Sequence, residues 1–148
     1  DFLQEMINRG HAGGAKNKLC ILPGSASDID TMRELASMDN LDNFGTDPYW
    51  YAAKKEVKSF VGEYSRNVHK ICTELNRESH IWIQGFLIPG GREEEIRTAV
   101  REAVDAGIRN LAVWGFDACS FISSIAPDNP EKAWAIICEE FASVKDLQ

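Results

Sequence analysis

Two hydrophobic rhythms alternate along the chain. Short apolar runs bounded by glycine, proline or asparagine give way to longer segments in which apolar residues return every three or four positions. The first rhythm predicts strands buried in a parallel sheet, the second amphipathic helices packed against it. At the start, Phe2, Leu3, Met6 and Ile7 share one face and predict the end of a helix over residues 1–10, stopped at Gly10. "KLCILPG" (18–24) predicts a strand buried on both faces. "SASDIDTMRELASM" predicts a helix with Ser27 as N-cap and Ile29, Met32, Leu35 and Ala36 inward. "LDNFGTD" is the second strand. From Ala52 to Leu75 the apolar set Ala53, Val57, Phe60, Val61, Tyr64, Val68, Ile71, Cys72 and Leu75 predicts the firmest helix.

"HIWIQGFLI" reads as the third strand. "GREEEIRTAVREAVDAG" is a helix with glutamates in its first turn and Gly107 at its end. "NLAVWGF" is the fourth strand. "DNPEKAWAIICEEF" opens the last helix with Asn129 as N-cap, Pro130 at its first position, and Trp134, Ile137, Cys138 and Phe141 as its buried stripe.

Residues 18–148 thus hold four β/α units, which predicts an α/β fold with a parallel sheet. A doubly wound nucleotide-binding sheet needs a glycine-rich turn after its first strand, and "ILPGSAS" has no such turn, so a (β/α) barrel is favoured. A full barrel takes about 250 residues. The 148 residues therefore read as a single domain forming the C-terminal half of a (β/α)8 TIM barrel, strands 5 to 8, entered after an earlier unit. Its open sheet edges call for self-association or a missing N-terminal half-barrel.

Strand parity gives the side chains direction. If Phe44, Ile81, Ile83, Leu111 and Val113 face the helices, then Asn43, Gly45 and Asp47 share the inner face, with Trp82, Gln84 and Phe86 on the third strand and Ala112, Trp114 and Phe116 on the fourth. In "NFGTDPYWY", Asp47 stands at the C-terminal end of its strand, where barrel enzymes build their active sites. It reads either as a turn residue before Pro48 or as a carboxylate for acid–base, nucleophilic or hydroxyl-binding work, with Tyr49, Trp50 and Tyr51 crowding the rim. Gln84 suits a sugar hydroxyl or a structural hydrogen bond. Arg92, beside Gly90 and Gly91, can reach a ligand, whereas Glu93, Glu94 and Glu95 read as solvated charges offsetting the helix dipole. Trp114 suits either a platform under a sugar ring or core packing, and Asp117 a ligand contact or a turn cap. His11, His69 and His80 stand apart from one another and read as neither ligands nor catalysts.

Net charge of −7 argues against nucleic acid and anionic membrane surfaces as partners. Cys20, Cys72, Cys119 and Cys138 are far apart, lack metal-ligand spacing and read as buried free thiols, which favours a reducing, cytoplasmic setting. No apolar run approaches the roughly 20 residues of a membrane span. No motif calls for a metal or an organic cofactor.

Together, "LDNFGTDPYW", "IWIQGFLIPGGREEEI", "NLAVWGFDACSF" and "NPEKAWAIICEEF" resemble the later strands of a glycoside-hydrolase-type TIM barrel, over residues 41–141. The resemblance implies a carbohydrate or other polyhydroxylated small molecule as ligand. It implies Asp47 as a catalytic or substrate-binding acid and Trp114 as the aromatic under the sugar; the strand and rim readings add Asn43, Tyr49, Trp50, Gln84, Arg92 and Asp117 as expected substrate contacts, and no cofactor is expected. Many retaining families place Glu at the end of the seventh strand, where this chain has Gln84 and Gly85, so the resemblance puts the second carboxylate before residue 1. Other TIM-barrel chemistries (isomerase, lyase, aldolase) and a noncatalytic sugar-binding or self-assembling half-barrel are the alternatives. The former lack a strand-end lysine or a cluster of metal ligands.

Overall fold

The computed structural model describes residues 2–22, 28–115 and 125–145. The elements alternate as expected: α1 (Phe2–Ala12), β1 (Lys18–Ile21), α2 (Ile29–Ala36), β2 (Asn43–Thr46), α3 (Val57–Glu74), β3 (Glu78–Gln84), α4 (Glu94–Asp105), β4 (Asn110–Trp114) and α5 (Pro130–Lys145). The four strands are parallel and lie in sequence order, β1-β2-β3-β4. A doubly wound sheet would reverse its order partway. Uninterrupted order is that of a half (β/α) barrel, with each helix packed against the next: α2 on α3, α3 on α4, α4 on α5.

The register fixes which side chains share a face. Cys20, Gly45, His80 and Asn110 form one row across the sheet, Trp82 pairs with Ala112, and Gln84 with Trp114. Side chains alternate across a strand, so this inner face also carries Asn43 and Asp47. Phe44, Ile81 and Ile83 point to the other face and are fully buried against Val61, Val68 and Ile71 of α3 and Ile96, Ala99 and Val100 of α4. The core lies there, between sheet and helices. The inner face is closed over β2 and β3 but open at the sheet edges, where Leu22 is 62% and Trp114 49% exposed.

Several local expectations change. α1 runs past Gly10 to Ala12 and ends in a left-handed turn at Gly14; glycine at 10 leaves room for the Asn17 side chain, which a Cβ there would meet at 2.4 Å. β1 is an edge strand, exposed at Lys18 and Cys20 rather than buried on both faces. Cys72 is buried, but Cys20 and Cys138 are exposed, because each falls on the open side of its element. Asp28 caps α2 by accepting from the Thr31 amide; Ser27 lies outside the described residues. α3 begins at Val57, not Ala52, because the Glu56 carboxylate accepts the Lys58 and Ser59 amides and fixes the N-terminus there. Gly107, with φ +100°, closes α4 as expected, its amide donating to Val104 and that of Ile108 to Ala103.

The buried stripe of α5 is Ala133, Ile136, Ile137, Glu140 and Val144, whereas Trp134 and Cys138 face outward. Glu140 causes the rotation: 5% exposed, it accepts from both Arg97 and Arg101 of α4. A charged residue inside a core stripe is invisible to an apolar pattern. Glu140→Ala is expected to lower stability by about 1–3 kcal/mol, since it strips a buried charge-assisted network of its acceptor. A urea midpoint equal to wild type would refute this.

Candidate functional site

Asp47 directly follows β2, and the segment 47–56 folds over the C-terminal end of the sheet. The Tyr49 amide donates to the Asp47 carbonyl at 2.7 Å, a three-residue turn with Pro48 at its centre. A short turn follows, in which the amides of Ala53, Lys54 and Lys55 donate to Tyr49, Tyr51 and Trp50. Lys54 closes it in the left-handed region, φ +55°. The main chain of Asp47 makes the turn, and its side chain goes elsewhere.

That side chain is buried, 7% exposed, and its Oδ1 has no hydrogen-bond partner. Burial pushes the carboxyl up to about 6, its own backbone amide pulling slightly the other way. It lines a cleft of about 240 Å³ with Leu22, Tyr49, Ala52, Ala53 and Phe60. The Tyr49 ring stands edge-on to Phe86, centroids 4.9 Å apart. Burial raises the Tyr49 phenol, and the Asp47 carboxylate and Cys20 thiol raise it further. Partial burial and then Asp47 raise the Cys20 thiol as well. Asp47, Tyr49 and Cys20 thus form one electrostatically linked group in which every acid favours its neutral form. A protonated carboxyl there can donate to an oxygen of a bound molecule, and an ionised one can accept from a hydroxyl.

The other expected contacts divide. Gln84 is fully buried; its oxygen accepts from the Tyr51 amide at 3.0 Å and the Ala52 amide at 3.4 Å, and its nitrogen donates to the Phe86 carbonyl. It ties the loop to β3 rather than facing a ligand. Trp50 is also fully buried and donates from Nε1 to Glu95 at 2.8 Å, because a tight turn cannot aim three consecutive rings the same way. Asn43 lies on the inner face but at the opposite end of β2, roughly 13 Å from Asp47 at about 3.3 Å per residue. There its amide donates to Glu78 at 3.2 Å and its oxygen accepts from His80 Nδ1. Parity predicts the face of a side chain, not its height. Trp114 sits at the rim of β4, half-exposed on the inner face. Asp117 and Phe116 lie outside the described residues.

Two groups are placed differently from their simplest reading in the sequence. His80 is 2% exposed and held as the Nδ1–H tautomer by Asn43, its Nε2 without a partner; burial lowers it to about 4. Glu93 is fully enclosed instead of solvated, accepting from the Gly91 amide, Asn129 and Lys132. Those bonds, led by Asn129, lower it to about 2 and staple the β3–α4 loop to the start of α5. Glu95 accepts from Trp50 and Arg92. Glu93 and Glu95 thus brace the rim, whereas Glu94 is exposed as expected, paired with Arg97. Among the described residues, no group of three or more His, Cys, Asp or Glu is placed to hold a metal, and no helix is long and apolar enough to cross a membrane.

No family model matches the chain, and no curated protein matches it in sequence. Its fold is similar to part of two solved structures. One is a putative α-L-fucosidase from Bacteroides thetaiotaomicron, with TM-score 0.59 and 9% identity over 88% of this chain and 44% of that one. The other is an endo-β-1,4-mannanase from Thermotoga petrophila, with TM-score 0.52 and 13% identity over 76% of this chain and 28% of that one. The chain spans less than half the length of either protein. At these identities the likeness is one of fold alone: a (β/α)-repeat sheet similar to part of each of those structures.

Proposed function

We propose that the chain is the C-terminal half, strands 5 to 8, of a glycoside-hydrolase-like barrel, and that Asp47 is an acid of its sugar-cleaving site. One observation carries the reading: a buried carboxyl with an unpartnered oxygen, at the C-terminal end of a barrel strand, in a cleft beside an aromatic ring. A carboxyl raised to about 6 keeps a useful protonated fraction near neutrality, which suits a general acid that protonates the leaving oxygen as an oxocarbenium-like centre develops. Tyr49 flanks the sugar, and Trp114 offers a second ring farther along the rim. The cleft has no second carboxylate among its lining residues, so the acid's partner belongs to the other half of the barrel. That same feature supports the second reading, a sugar-binding half-barrel without turnover.

The test measures binding and hydrolysis of a panel of simple glycosides by the full-length protein carrying both halves of the barrel, as wild type and as Asp47→Asn. Turnover that Asp47→Asn abolishes supports the hydrolase. Saccharide binding without turnover supports the second reading. A chain that neither binds nor cleaves any glycoside on a broad panel, or an Asp47→Asn variant indistinguishable from wild type, defeats both.

A further inference from the structure

Beside the Asp47 cleft lies a second hollow of about 480 Å³, lined by Tyr51, Lys54, Lys55 and Arg92. The two share one loop, and consecutive residues Ala53 and Lys54 line one each. Three cations gather here on a chain whose net charge is −7. Arg92 is already positioned. Its guanidinium stacks over the Tyr51 ring, 5.1 Å from the centroid, and Nε and Nη2 donate to Glu95 at 2.8 and 3.0 Å. Glu95 is held in turn by buried Trp50. A side chain pinned on two sides loses little freedom when a ligand arrives, and its Nη1 edge is not engaged by Glu95. Lys54 and Lys55 have no ion-pair partner among the described residues, and the left-handed turn at Lys54 sets both beside that arginine. Of the neighbouring carboxylates, Glu95 is committed to Arg92 and Trp50, and Glu56 to the N-terminus of α3. Three cations thus face two carboxylates, both already engaged, an imbalance that an oxyanion would correct.

Resting on the carbohydrate reading, we propose that this hollow is an anion subsite and that the sugar taken beside Asp47 is acidic, carrying one carboxylate or sulfate group that Lys54, Lys55 and Arg92 bind. A neutral sugar would leave both lysines unused.

Calorimetric titration at low salt with D-glucuronate, D-glucose 6-sulfate, D-glucose and inorganic sulfate tests this on wild type, Lys54→Gln/Lys55→Gln, Lys54→Arg/Lys55→Arg and Asp47→Asn. Either acidic sugar is expected to bind at least about tenfold more tightly than glucose. That advantage should vanish in the glutamine variant, return in the arginine variant and shrink as salt is raised. Glucuronate or the 6-sulfate, whichever binds better, identifies the group. Equal affinity for acidic sugars and glucose overturns the proposal, as does an advantage that survives the glutamine variant or an acidic sugar bound no better than inorganic sulfate. Glucose binding that Asp47→Asn abolishes would leave the carbohydrate reading standing even then. Both lysines are exposed and lack side-chain partners, so an unchanged melting temperature shows that the variants fold.

Discussion

Asp47→Asn is expected to cut hydrolysis of a glycoside with a poor leaving group by about 10²- to 10⁴-fold, the range of a lost general acid, while making the protein more stable above pH 6. On a 4-nitrophenyl glycoside, whose leaving group needs no proton, the loss should be far smaller. Equal losses on both would assign Asp47 to the nucleophile instead. The stability effect comes from burial. A carboxyl raised from 3.8 to about 6 in the folded protein holds its proton more tightly there than in the unfolded chain. Between those values the folded state binds more protons, so stability falls as pH rises, by up to about 3 kcal/mol at 1.36 kcal/mol per pKa unit. Asparagine removes that cost.

His80 works in the opposite sense. Lowered from 6.5 to about 4, it stays neutral in the fold while the unfolded chain takes up a proton, so its contribution is complete above 6.5 and is lost as pH falls toward 4. The two slopes overlap and oppose each other, and wild-type stability should change little from these groups between pH 4 and 6. With Asp47 neutralised, the His80 slope stands alone, and Asp47→Asn should gain stability as pH rises across that interval. Urea midpoints at four or five pH values decide it. A variant that tracks wild type throughout would show that burial does not raise the carboxyl. Lost activity joined to gained stability marks a group held in place for chemistry rather than for the fold.

Gly45→Ala is the second large effect, about 3 kcal/mol of destabilisation or more, and it reports on the inner face rather than on the cleft. A Cβ at this position would lie 2.1 Å from the His80 carbonyl oxygen and 2.6 Å from the His80 ring. β2 and β3 must part to admit it, which breaks a central strand pairing. Loss of that size removes a large fraction of a domain's usual margin of about 5–15 kcal/mol. His80→Ala in the same background should recover only part of it, because the carbonyl contact remains. Gly45→Ala within about 0.5 kcal/mol of wild type in a urea titration would show that the sheet accommodates the methyl group.

These cases show how much was legible beforehand. Alternating apolar rhythms led to four parallel β/α units, and the absence of a glycine-rich first turn pointed to uninterrupted strand order. Period-2 alternation led to the inner-face rows containing Gly45, Asp47, Trp82 and Gln84. This much is legible because burial of one face imposes a local periodicity on any helix or strand.

What only the tertiary structure decided involves partners distant in sequence. Asn43 and Asp47 read alike, yet one is tied to His80 and the other opens into a cleft, because the neighbouring strand determines what stands at each height. Trp50 and Tyr49 are adjacent rings, one in the core and one at the rim, because the turn after Pro48 sends successive side chains to opposite sides. Glu93 reads as a solvated charge and Glu140 falls outside the apolar pattern, yet both are enclosed, their cations arriving from 39 and 43 residues away. The sequence by itself determined the repeat, the sheet and the face on which Asp47 sits. Its burial and unpartnered oxygen, and the cations gathered beside it, were decided by packing, since desolvation and charge pairing depend on what surrounds a group in space rather than along the chain.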